Sequence, residues 1–399
     1  MTASSRRAAG SVFWASNAVL AYVHLGYPLA LELAARARRR PTTLLAPDLA
    51  RGTATIVISA LDEADVIGRK IEQTLALDTG GRPLDVVLVA DGSTDRTAEI
   101  ARAFDDERLT VLHEPERRGK AAAINRGVTA SRGDIVLFTD ANNEWRPDAV
   151  VALLAAFDDP EVGGATGLKT VSESAADHSG SEGWYWKYES WIRSRESELG
   201  SCTAANGEIM AIRRECFRPI PEDTVVDDLQ LALEVMRSGR RFVAVPGAVS
   251  VEQCSPSEAD ERERRARMAA GRTQLVARPA TFANLPPRVV WQLVSHKVGR
   301  LTVPVAMAAL LSSSWRASAG CPGTTRIVAR GLLVAQLLGY GAVLTAPRVA
   351  HHWPPRIRSI VRALRYVVVS NAAVGAGLVR AMSGRQSATW TRVARETAS

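Results

Sequence analysis

Cysteine is scarce in this chain. Four occur in 399 residues, Cys202, Cys216, Cys254 and Cys321, with no CxxC spacing and no metal-site pattern. That excludes a disulfide framework and a structural zinc site, and leaves free, mostly buried thiols of a reducing compartment. Glycine is missing from Ser59 to Asp65, just after the first β-branched run. A GxGxxG dinucleotide fingerprint is therefore absent where it would be needed, which disfavours a Rossmann dehydrogenase. No nucleophile elbow accompanies Ser295 or His296, so a triad role is disfavoured and interfacial anchoring of Ser295-His296-Lys297 is expected instead. Internal repeats and low-complexity segments are lacking too. No nucleic-acid-binding motif accompanies the basic residues, so no nucleic-acid partner is expected.

What is present is an apolar chain, 46% hydrophobic, with a net charge of +8. Its arginines cluster beside hydrophobic stretches: Arg36, Arg38, Arg39 and Arg40, then Arg356, Arg358, Arg362 and Arg365. Charge placed this way points to a membrane surface. Residues 8–31 hold no Asp, Glu, Lys or Arg, and a helix needs about 20 apolar residues to cross a bilayer. Trp14, Tyr22 and Tyr27 suit its interfaces. A retained anchor is favoured over a signal peptide, because no small-residue cleavage site precedes the Arg run. Near the other end, uncharged runs at 301–315, 331–347 and 366–379 are bounded by arginines and predict about three further helices. The alternative is a buried helical domain or re-entrant segments. The expected organisation is an anchor and basic linker over 1–50, a cytosolic domain over 51–285 and a membrane region over 286–399. Together these describe a multi-pass protein of the plasma membrane in contact with membrane lipids.

The middle of the chain alternates. Thr55 to Ile58, Leu84 to Ala90, Leu109 to Leu112 and Ile135 to Thr139 read as strands; helical patterns include Val66, Ile67, Ile71 and Leu75, and Lys120 to Ala130. That alternation predicts an α/β fold with a mostly parallel sheet covered by helices on both faces. Ligands of such sheets sit at the carboxyl ends of strands. Asp91 and Asp140 each follow a strand directly and can converge on one crevice. Trp184, Tyr185, Trp186, Tyr188 and Trp191 suit either a sugar channel or ordinary packing.

Four charged clusters then fall in order: Asp91-Gly92-Ser93-Thr94-Asp95, Asp140-Ala141-Asn142, Asp227-Asp228 and Arg264-Arg265-Ala266-Arg267-Met268. In this series, over roughly Ala54 to Gln274, the chain resembles the membrane-bound family 2 glycosyltransferases of the GT-A fold, the branch of cellulose, chitin and poly-N-acetylglucosamine synthases. The resemblance implies that Glu63 and Asp91 contact the nucleoside. Lys120, in the stretch Gly119 to Asn125 that is similar to the family's GK…LN element, would meet a phosphate; a solvated charge is the alternative. Asp140-Ala141-Asn142 resembles the DxD element that holds Mg2+ or Mn2+ on the diphosphate, with Asn142 where a second carboxylate is usual. Asp227-Asp228 resembles the ED pair, which makes Asp228 the general base; a dipole-stabilised helix start is the alternative. Asn206-Gly207-Glu208 resembles the segment shaping the acceptor pocket. Arg264, Arg265, Arg267 and Met268 align with the Q(Q/R)xRW element of processive synthases. Arg264 stands where Gln is usual and Met268 where Trp is usual, which puts the glycan stacking platform in doubt. A plain charged helix is the alternative there.

The implied activity is inverting, β-forming transfer of a sugar from a UDP-sugar, GlcNAc or glucose by family habit, to a glycan or lipid-linked acceptor at the cytosolic membrane face. A non-catalytic membrane scaffold retaining the fold is the competing expectation, resting on Asn142, Arg264 and Met268.

Overall fold

The structure, a computed structural model, describes residues 2–40, 52–171, 179–252, 257–349, 353–384 and 386. The side chains of Trp184, Tyr185 and Trp186, like Cys254, lie outside this description. Cys202, Cys216 and Cys321 are buried free thiols.

The predicted β-branched runs form strands. In chain order these are β1 (Ala54–Ala60), β2 (Leu84–Asp91), β3 (Leu109–Glu114), β4 (Ile135–Asp140), β5 (Asn143–Trp145), β6 (Val162–Val171), β7 (Met210–Arg213) and β8 (Arg241–Glu252). They make one sheet in the order β3-β2-β1-β4-β7-β6-β8-β5. The first four run parallel to one another, in the order β3-β2-β1-β4. Beyond β4 the sheet turns mixed: β7 runs antiparallel to β4 and β6, β6 and β8 are parallel, and β5 is antiparallel to β8. The expected α/β fold is present, with a mixed rather than uniform second half. Periodicity does not encode strand direction, so β7 could not be oriented from its sequence.

Strand residues fill both faces of the sheet. One face buries Ile56, Ile58, Leu88 and Leu137 against the helices carrying Ile67, Ile71 and Leu153. The other buries Val57, Val136 and Phe138 against Ile124 and Leu233. Two-sided burial explains the near-continuous apolar runs.

The anchor forms as a helix over Ala3–Ala37. It widens at Tyr22–Gly26, just before Pro28, whose ring denies the helix one backbone hydrogen bond. Its lower half docks on the domain. Tyr27 and Leu31 are fully buried with Ile192 and Leu199, worth about 1.5–3 kcal/mol for each such side chain. Arg39 pairs with Glu198 and Arg40 with Glu161. Both pairs are solvent-exposed and contribute at most about 1 kcal/mol each, so apolar burial outweighs these surface pairs.

Three helices form where three C-terminal spans were expected: Gly299–Gly320, Gly323–Val349 and Pro355–Met382. Among the described residues, two helices are long and apolar enough to cross a membrane, Ala3–Ala37 and Gly323–Ala346. Pro355–Met382 starts with four arginines and lies along the charged helix Glu258–Ala277. Arg265 bonds Tyr366 and Ser370; Glu263 pairs with Arg380 and Glu258 with Arg365. Gly377 lets the two backbones touch, since a Cβ there would meet Ala266 and Ala269.

Candidate active site

Asp91 ends β2 and Asp140 ends β4, on either side of β1. Neighbouring strands lie about 4.8 Å apart, so the two carboxylates start about 10 Å from one another at the same sheet edge. The helix Lys120–Ala130 bridges them. Its entry turn is pinned by Asp91, which is buried and accepts the backbone N–H of Gly119 at 2.6 Å, that of Arg118 at 3.2 Å, and the Arg126 guanidinium. Gly119 has φ +99°, a conformation that favours glycine. Gly92 is required too: a Cβ there would sit 2.6 Å from the Arg117 backbone. Glu63 lies on the same side. Its N–H bonds Thr97 Oγ1 at 2.8 Å, while Asp62 Oδ1 accepts the Thr94 N–H at 2.8 Å, locking the turn after β1 to the turn after β2.

Across the helix start, Lys120 Nζ is 2.6 Å from Asp140 Oδ1 and 3.7 Å from Asp227 Oδ2. Asp227 and Asp228 open the helix Asp227–Arg237, and Asp228 Oδ1 accepts the Leu229 N–H at 2.7 Å. Gly207 faces all of them. A Cβ built there would lie 3.3 Å from Asp228 Cβ, 3.7 Å from Asp227 Oδ2 and 3.8 Å from Lys120 Nζ. Residues more than 100 positions apart thus share one cleft. Its field is lopsided. Burial alone would lower Lys120, but the Asp140 and Asp227 carboxylates outweigh it and hold the ammonium above its usual range. Burial alone would raise Asp140, but Lys120 outweighs that and holds it below the usual carboxylate range. Asp227 stays raised, chiefly by burial, with Asp228 and Asp140 adding to it against Lys120.

The arginine cluster divides. Five consecutive helical residues advance about 100° each and cannot all face one site. Arg267 lies in the field of Asp227, Asp140 and Asp228. Arg264 pairs with Glu261 and Glu252. Arg265 turns to Tyr366 and Ser370, and Met268 packs on the apolar cluster around Leu229 and Leu293. So Arg265 and Met268, expected at the acceptor or diphosphate, brace neighbouring helices, while Arg267 keeps an electrostatic link to the carboxylates of the cleft.

A layer behind the cleft was missed. Lys70 is buried and donates to Thr139 Oγ1 at 2.9 Å, Asn143 O at 2.8 Å and Asn143 Oδ1 at 3.2 Å. Asn143 Nδ2 donates to Glu208 O at 3.0 Å and Ser250 Oγ at 2.8 Å. Lys169 pairs with Glu208 at 2.9 Å and with Glu252. The signal was available: Lys70 shares the buried helical stripe of Ile67, Ile71 and Thr74, where a lysine needs internal acceptors.

The Ser295-His296-Lys297 segment is buried rather than interfacial. His296 Nδ1 lies 2.9 Å from Glu196 Oε1, and its ring stacks on Tyr27. Glu196 also accepts the Thr203 N–H at 2.7 Å and the Tyr27 hydroxyl. Ser295 bonds Tyr22 at 2.7 Å. A charged residue on the helix Ser179–Glu198, far away in sequence, converts an expected surface anchor into an internal joint.

For a metal, Asp140 offers one carboxylate, about one-third exposed, and Asn142 an amide oxygen two residues on. Among the described residues no group of three or more His, Cys, Asp or Glu is set to hold an ion. That donor set fits Mg2+ or Mn2+, which take one or two protein carboxylates and complete their shell with phosphate and water.

Comparison with known proteins matches residues 55–219 to the model described as Glycosyl transferase family 2. A succinoglycan biosynthesis protein of Rhizobium meliloti is 38% identical over 102 residues, 25% of this chain and 29% of that protein. An N-acetylglucosaminyltransferase of Rhizobium leguminosarum bv. viciae is 26% identical over 218 residues, 49% of this chain and 50% of that protein. The chain thus spans half or less of the length of these curated relatives. A mannosyltransferase of Pyrobaculum calidifontis, solved with GDP-Man and Mn2+, superposes with a TM-score of 0.70 at 24% identity, over 94% of this chain and 99% of that one. The shared fold therefore includes terminal helices. Asp227, Asp228 and the arginine cluster lie beyond the matched segment.

Proposed function

Residues 55–219 of this chain are a family 2 glycosyltransferase domain, and from that premise we propose a membrane-bound inverting glycosyltransferase. Its donor is a nucleotide-diphosphate sugar, UDP-GlcNAc or UDP-glucose first. Its acceptor is a glycan or lipid-linked hydroxyl at the cytosolic membrane face, and its product is β-linked. The N-acetylglucosaminyltransferase relative supports the donor choice. The two long apolar helices support membrane attachment. The basic Arg36 to Arg40 cluster beside the domain supports the cytosolic orientation.

The observation that carries the reading is the convergence of Lys120, Asp140, Asp227 and Asp228 at one sheet edge. Direct displacement at the anomeric carbon needs a base on the acceptor side and positive charge on the leaving side. Asp228 is the base: it lies beside Gly207 in the open cleft and takes the acceptor proton. Lys120 and Arg267 face the leaving diphosphate, and Asp91 holds the turn that presents Lys120. Asp140 and Asn142 hold a divalent cation, which when bound supplies Lewis-acid stabilisation of the departing diphosphate. Glu63 borders the nucleoside end.

The test is nucleotide release by membranes containing the full chain, screened with UDP-GlcNAc, UDP-glucose and GDP-mannose, with and without Mn2+. The reading expects release with one donor, dependent on metal and lost in Asp228→Asn. Silence with every donor under all conditions would favour the non-catalytic scaffold.

A further inference from the structure

The ammonium of Lys120 touches Asp140, the one carboxylate expected to ligate a metal, at 2.6 Å, and lies 3.7 Å from Asp227. Such a contact is a charge-assisted hydrogen bond, among the stronger polar interactions. We infer that Lys120 competes with divalent metal for Asp140, and that the metal gains access to this carboxylate only when a nucleoside diphosphate draws the ammonium away. The inference rests on the proposed donor site and adds an order of binding to it: nucleotide first or together with metal, never metal alone.

Three observations converge on it. Lys120 donates directly to the Asp140 carboxylate at 2.6 Å, so a metal and Lys120 compete for the same group. The carboxylates facing Lys120 in the cleft are Asp140, Asp227 and Asp228, and Arg267 lies in the field of all three. Lys169 and Lys70 also act on Asp140, so a divalent ion entering alone meets positive charge already in place. A divalent ion arriving with a nucleoside diphosphate brings compensating negative charge with it. Finally, the protein supplies no three-residue ligand group of its own among the described residues, so a metal here needs phosphate oxygens to complete its shell. Lys120 sits at the first residue of its helix, and its flexible stem lets Nζ move from carboxylate to phosphate with the backbone fixed.

The experiment is Mn2+ binding to the purified full chain in detergent, read by the loss of free-ion signal in electron paramagnetic resonance. Wild type, Lys120→Met, Lys120→Gln and Asp140→Asn are each titrated alone and with saturating UDP or GDP. For wild type, nucleotide should tighten Mn2+ binding by tenfold or more. In both Lys120 variants, Mn2+ alone should bind about tenfold tighter than to wild type, because the competing state is removed. Asp140→Asn should bind weakly in every arm. The wild-type arms need no variant to fold, and thermal unfolding checks the others. Equal Mn2+ affinity of wild type with and without nucleotide, or Lys120 variants no tighter than wild type, overturns the inference while leaving the glycosyltransferase reading intact. Failure of wild type to bind Mn2+ even with nucleotide overturns both.

Discussion

Asn143 Nδ2 donates to the backbone carbonyl of Glu208 at 3.0 Å. That bond ties the turn following Asp140 to the loop carrying Gly207, the residue that faces Asp228. The Trp145 indole N–H donates to the same carbonyl at 2.8 Å, so the two loops are fastened by two bonds, and the Asn143 amide is itself held by Lys70. Asn143→Ala leaves the Lys70 ammonium short of an acceptor and removes one of the two ties. The expected loss is on the order of 2 kcal/mol of stability, read by denaturant unfolding. The activity expected to survive should show a raised KM for acceptor more than for donor. An unchanged midpoint would show that the network is not holding the two loops.

Lys70 also sets a pH dependence. Burial is the main cause that lowers it, to about 7, against the pull of Asp140, Glu208 and Glu144. The unfolded chain keeps that proton up to the ordinary value of 10.5. Between these values the unfolded state binds the extra proton, so this group makes stability rise with pH; below about 7 both states hold the proton and the contribution is flat. Wild type should therefore gain on Lys70→Met above pH 7, by on the order of 1 kcal/mol per pH unit. Unfolding curves from pH 6 to 9 test it, and a pH-independent difference contradicts it.

The anchor joint depends on a buried carboxylate. Glu196 gathers donors from His296, Tyr27 and Thr203. Glu196→Ala strands them in the interior and should cost about 3–5 kcal/mol. Glu196→Gln keeps the shape and should cost less. Limited proteolysis near residue 40 should quicken in the Ala variant; equal rates in both would put the joint's strength in apolar packing alone.

At the reaction centre, Asp228→Asn should reduce kcat by about 10²–10⁴-fold, the range of general-base contributions, with nucleotide affinity within a few-fold of wild type. A matching loss of nucleotide binding would move Asp228 from the acceptor side to the donor side.

Much of this was legible beforehand. The β-branched runs named β1, β2 and β4 to within a residue or two, because strands buried on both faces leave little ambiguity, while the half-exposed edge strand β3 runs two residues past its expected end. Asp91 and Asp140 were readable because each ends such a strand. The helix Asp227–Arg237 was readable from its apolar period. What the sequence hid were partners distant in the chain. Arg265 and Met268 sit in a motif-like run, yet helical geometry turns them from the cleft, and only the helix Pro355–Met382 shows where Arg265 goes. Lys70 betrays its burial by sharing the apolar stripe of its helix, but Asn143 and Glu196 carry no local pattern beyond polarity, and the roles of all three exist only once the fold has brought their partners near.

The most direct measurement is a crystal structure of the full chain with Mn2+ and a nucleoside diphosphate, locating the ion by its anomalous signal. The account predicts a peak in contact with an Asp140 oxygen, the diphosphate between it and Arg267, and Lys120 turned from carboxylate to phosphate. An ion or nucleotide bound away from Asp140, with the Lys120–Asp140 pair intact, would contradict it.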